Sequence, residues 1–129
     1  LAVIHLARGV STWLTYLSAG ILVPPVLRWP LCVPAGGALV VGLLAAVGGA
    51  KRRPLYVGGI VLMVLYVVGY FAWHASGHRP LFVVGTGTHH HGSTLAYLGA
   101  HVVAGPVETL ALASETALAG LLAYFLYRE

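Results

Sequence analysis

The sequence predicts an all-α integral membrane protein, a compact bundle of about four transmembrane helices in a single domain spanning 1–129, and three observations lead there. Of 129 residues, 59% are apolar and 8% charged, against roughly 25% charged in a soluble domain. Asp, Asn and Gln are absent, so the residues that build a water-facing surface are largely missing. Apolar runs of about 20 residues recur along the chain, enough at 1.5 Å per residue to cross a hydrocarbon core of roughly 30 Å. Backbone polar groups in lipid must be satisfied within their own segment, so these runs are expected to be helices.

The first run, 1–23, ends at Pro24 and Pro25, whose missing N–H and fixed φ stop a helix. It has no basic n-region and exceeds the length of a signal-peptide h-region, so a membrane helix is the expectation. The second, 31–50, tolerates Pro34 in its first turn. Lys51, Arg52, Arg53 and Pro54 divide it from the third, 55–76. The fourth, 106–127, begins at Pro106, with Gly105 near its cap. Between the third and fourth lies an outer loop, 77–105. From 94 to 127 is too long for one ordinary crossing, which predicts a short interfacial segment over 94–104.

Ala38, Gly42, Ala46 and Ala50 recur every four residues on the second run; Ala113 with Ala117, and Ala119 with Ala123, repeat the interval on the fourth. Small residues at this spacing let backbones approach closely, within a compact bundle or against a partner helix. The seven basic residues are scattered and sit mostly at the ends of apolar runs. That pattern excludes a nucleic-acid surface and reads as topology. Lys51, Arg52, Arg53 and Arg128, with Arg8 assigned to the same side, place both termini in the cytoplasm of a multi-pass cell-membrane protein. Trp29, Tyr70, Phe71 and Trp73 would form the outer aromatic belt, and Tyr56, Tyr124 and Tyr127 the inner one.

No P-loop, Rossmann fingerprint or nucleophile elbow is present, and Gly85-Thr86-Gly87-Thr88 lacks the GK[ST] ending of a phosphate loop. The lone Cys32 excludes an internal disulfide. With no Asp to complete a triad, this chain carries no catalytic constellation of its own. Histidine is the informative residue: six of seven fall between positions 74 and 101. His74 and His78 are four apart, on one face if the helix continues, and His89, His90 and His91 follow on the same side. Neutral imidazole suits Zn²⁺ or Cu²⁺, which makes these five the candidate metal ligands. A haem b held between two helices needs only two facing histidines, and His74 with His101 is the pair that topology permits; His5 is placed near the opposite side.

Three residues place charge near or within the fourth and first runs: Glu108, Glu115 and Arg8. Glu108 falls in a first helical turn, where the dipole favours a carboxylate. Glu115 lies about 13 Å into its helix, near the bilayer centre, where an ionised carboxylate costs several kcal/mol unless paired, protonated or hydrated. The expected partners are Arg8 and the hydroxyls of Ser11, Thr12, Thr15 and Ser18, which implies contact between the first and fourth runs. The expected function is that of a small non-catalytic subunit that packs against other subunits of a larger membrane complex, respiratory or otherwise energy-converting. The alternatives are a metal- or haem-binding membrane protein using the outer histidines, and a small proton or ion transporter centred on Glu115.

Overall fold

The computed structural model describes residues 1–21, 23, 26, 28–76 and 93–129. His78, Arg79 and the His89–His91 triplet lie outside the described residues. Five helices follow in order: α1 (Ala2–Ser18), α2 (Arg28–Val47), α3 (Arg52–Ala75), α4 (Thr94–Val102) and α5 (Pro106–Arg128). No strand occurs among the described residues. α2, α3 and α5 are long and apolar enough to cross a membrane. Large apolar side chains such as Val41, Leu43, Leu44, Leu65 and Val68 point outward along these helices, as lipid contact requires.

The protein therefore presents three spanning helices by length and composition where the sequence suggested about four. α1 has 17 residues, covering about 26 Å. It stops short of the prolines because Gly20 takes φ +68, donating its N–H to Leu17 while Ile21 donates to Tyr16. These two bonds form a Schellman cap, which satisfies the last carbonyls and ends the helix. Gly49, at φ +81, closes α2 in the same way, through its N–H to Ala46 and that of Ala50 to Ala45. Pro106 opens α5 with Gly105 as its N-cap, and α4 occupies the stretch before it.

The helices pair as α1 on α2 and α3 on α5, with less contact between the two pairs. The α1–α2 seam is fixed by two glycines. A Cβ on Gly9 would come within 3.0 Å of the Trp29 carbonyl oxygen, and one on Gly36 would lie 2.6 Å from Leu6 Cγ and 3.1 Å from the Ala2 carbonyl oxygen. Those contacts stagger α1: its start lies beside the middle of α2, and Gly9 is level with the first turns of α2. On the other pair, Met63 is fully buried and Gly59 admits the Leu122 side chain. The regular small-residue stripe of α2 does not form either seam. Ala38 and Ala46 are exposed, and open space lies beyond Gly42.

Candidate functional site

The stagger of α1 determines what Glu115 meets. His5 and Glu115 are both buried, at 5% exposure each, and His5 Nε2 lies 3.0 Å from Glu115 Oε1. The oxygen is off the direction in which an Nε2–H would point, so the contact is electrostatic and not a straight hydrogen bond. The His5 ring leans on Tyr66, centroid to centroid 5.2 Å, and the Tyr66 hydroxyl donates to the Leu31 carbonyl in the first turn of α2. One turn beyond His5, Arg8 Nη2 stands 3.8 Å from Glu108 Oε1. His5 with Arg8 on α1 thus face Glu115 with Glu108 on α5, in antiparallel order.

This corrects two sequence expectations. The partner of Glu115 is His5, neither Arg8 nor the hydroxyls of α1. Ser11, Thr15 and Ser18 donate to carbonyls of their own helix, at 2.5, 2.9 and 2.9 Å, as Thr116 does at 2.9 Å, the ordinary way a helical hydroxyl is satisfied. Arg8 also lies at the opposite end of the bundle from Lys51, Arg52 and Arg53, because the Gly9 and Gly36 contacts set α1 half a helix out of line with α2. The expected contact between the first and fourth runs is present, and these two polar pairs make it.

A cavity of about 420 Å³ joins the pairs, lined by Arg8, Arg28, Glu108, Trp29, Tyr70, Tyr66, His5 and Glu115 among others. At its charged end both guanidinium groups sit against one indole, Arg28 at 4.4 Å and Arg8 at 5.9 Å from the Trp29 ring centroid, a cation–π arrangement. Trp73 also lines this space, and its buried Nε1 has no hydrogen-bond acceptor among the described residues. On the same face of α3 as Tyr66 and Tyr70, Met63 is fully buried. The cavity lining runs from His5 and Glu115 to Glu108, Arg8 and Arg28.

The histidines at the Glu108 end also come together. His74 on α3 and His101 on α4 have ring centroids 4.9 Å apart. His74 Nδ1 donates to the Tyr70 carbonyl at 2.8 Å, and His101 Nδ1 to the Tyr97 carbonyl at 3.0 Å, the same four-residue reach on each helix. The Tyr70 hydroxyl bonds the His101 carbonyl at 2.9 Å, holding α4 to α3. Arg28, Glu108 and Gly105 complete a second hollow of about 280 Å³ there. Of the five metal candidates read from sequence, His74 alone lies among the described residues, and it meets His101. No group of three His, Cys, Asp or Glu side chains suited to one metal ion occurs among the described residues.

No protein-family model, curated protein or solved structure matches this chain.

Proposed function

We propose that the protein is a small proton-carrying unit of the cell membrane, centred on Glu115 with His5 as its proton partner. The observation that carries this reading is the buried 3.0 Å contact of the two side chains at the foot of a cavity. An ionisable pair at that depth is costly to keep and marks a function by default. A proton passing from Glu115 Oε1 to His5 Nε2 converts neutral carboxyl and imidazole into carboxylate and imidazolium, and its return restores them. A small rotation of the His5 ring supplies the alignment the transfer needs. Exchange takes place with the Glu108 end, and net transport requires a second conformation that opens the pair toward the other end. The Lys51, Arg52, Arg53 and Arg128 end faces the cytoplasm, with the C-terminus on that side and α1 running away from it.

The test is proton flux into vesicles reconstituted with the purified protein alone, read by an internal pH-sensitive dye under an imposed potential. Wild type acidifies the lumen; Glu115→Gln, which keeps the shape but cannot exchange the proton, abolishes flux while eluting as the wild type does. Undiminished flux in Glu115→Gln removes Glu115 from the mechanism.

The second reading, a non-catalytic subunit of a larger membrane complex, is favoured by the uncovered Ala38, Gly42 and Ala46 stripe of α2, which suits close approach by a partner helix. A wild-type protein that carries no protons alone and co-purifies with a larger complex in mild detergent would replace the first reading by this one.

A further inference from the structure

We propose that the cavity between the two helix pairs holds one fatty acid, its carboxylate on Arg28 and its chain along the apolar wall. The site shares this space with the His5–Glu115 pair but does not rest on proton transfer, and its test reads binding alone.

The first support is the balance of charge. The chain has three acidic side chains. Glu115 faces His5 at 3.0 Å and Glu108 faces Arg8 at 3.8 Å, while Glu129 closes the far end of α5. None of them pairs with Arg28, which opens α2 and lines the cavity beside Arg8 and Glu108. The Trp29 ring, 4.4 Å away, stabilises the guanidinium without neutralising it. A guanidinium on a ring face still carries the planar fork of N–H donors that matches a carboxylate. Arg8, Arg28 and Glu108 together leave one positive charge, the complement of a monoanion.

The second support is the remainder of the lining. Ile4, Leu31, Leu65, Val107, Ala111 and Leu112 make it largely apolar, and several polar groups among them are already answered within the protein. The Tyr66 and Tyr70 hydroxyls donate to the Leu31 and His101 carbonyls, the Cys32 thiol donates to the Arg28 carbonyl at 3.4 Å, and His5 and Glu115 face each other. An apolar wall with one unmatched charge fits a molecule with an anionic head and an apolar body. At about 420 Å³ the cavity falls within the roughly 300–1,000 Å³ of small-molecule pockets. That is room for a compact head and a single chain, whereas a phospholipid brings two chains and a larger headgroup.

The experiment uses the full chain in detergent, stripped of lipid and carrying Trp13→Phe, so that Trp29 and Trp73, both in the cavity lining, are its only tryptophans. Titration with dibromostearic acid, whose bromines quench indole emission on contact, is expected to saturate at one molecule per chain. Its methyl ester, with the same chain and no charge, should quench only weakly. Arg28→Gln removes the charge at an exposed position and should weaken binding by about tenfold or more; Ala111→Phe, which fills the apolar part of the cavity, should weaken it to a similar extent. The comparison of acid with ester is made on the parent protein and does not depend on how either variant folds. Equal quenching by acid and ester, unchanged affinity in either variant, or tighter binding of a dibrominated phosphatidylglycerol than of the acid overturns the proposal.

Discussion

Removing one member of the His5–Glu115 pair should expose how much of the α1 attachment depends on it. The side chains are 6% exposed on both sides and 3.0 Å apart, so neither can recover solvent when its partner is lost. A buried polar group left without its partner costs about 1–3 kcal/mol, and polar contacts between membrane helices fall toward the lower part of that range, about 0.6–2 kcal/mol. Glu115→Leu and His5→Leu are therefore each expected to destabilise by about 1–2 kcal/mol. The double variant leaves neither group unpaired and should cost less than the two singles combined, with a coupling of about 0.5–2 kcal/mol. Reversible unfolding in mixed micelles, followed by far-ultraviolet circular dichroism, measures all four corners of the cycle. Additivity to within about 0.5 kcal/mol would refute a direct interaction and leave Glu115 to be satisfied by water in the cavity.

Other contacts give sharper yes-or-no outcomes. Gly36→Leu drives a branched side chain into Leu6 and the Ala2 backbone; it should separate α1 from α2, lost as a crosslink between cysteines placed at Leu6 and Val33. Gly20→Ala meets no neighbour but holds φ +68, and should lower stability by about 1 kcal/mol in the same unfolding assay. A cysteine at Ser93, exposed before α4, should react with an impermeant thiol reagent added outside cells, whereas one at Arg53 should not; the opposite pattern reverses the orientation.

The spanning helices were legible because lipid leaves a coarse signature: long apolar runs and breakers that must lie outside them. Their ends were less so. Pro24 and Pro25 are conspicuous stops, yet Gly20 stops α1 first, because a left-handed residue can close a helix wherever glycine allows it. Glu115 was identifiable as a buried charge from its depth alone. Its partner was not, since pairing depends on how far α1 slides along α2, and that is set by Gly9 and Gly36 fitting against Trp29 and Leu6. His5 and Arg8 lie three apart on α1 and Glu108 and Glu115 seven apart on α5, about 4.5 Å against about 10.5 Å along the axes, so the spacing alone does not give the pairing. His74 and His101, placed on the same side from topology, do come together, with ring centroids 4.9 Å apart, a spacing that only the three-dimensional packing of α4 on α3 supplies.

The stagger of α1 also changes the charge balance between the two ends of the bundle. With Arg8 beside Glu108, the described basic residues divide as Lys51, Arg52, Arg53 and Arg128 at one end and Arg8 and Arg28 at the other. The difference in basic charge between the two ends is therefore narrower than an unstaggered α1 would give, with Lys51, Arg52 and Arg53 adjacent where α3 begins. Neither Arg8 nor Arg28 is left as a bare charge at that end. One faces Glu108 at 3.8 Å, and both rest on Trp29. The same displacement brings His5 to the depth of Glu115, so the contact that sets α1 out of line with α2 is also the one that creates the buried pair. A shift of α1 by one helical turn along α2 would move His5 about 5 Å from Glu115 and Arg8 the same distance from Glu108. The register fixed at Gly9 and Gly36 therefore holds both polar pairs in place.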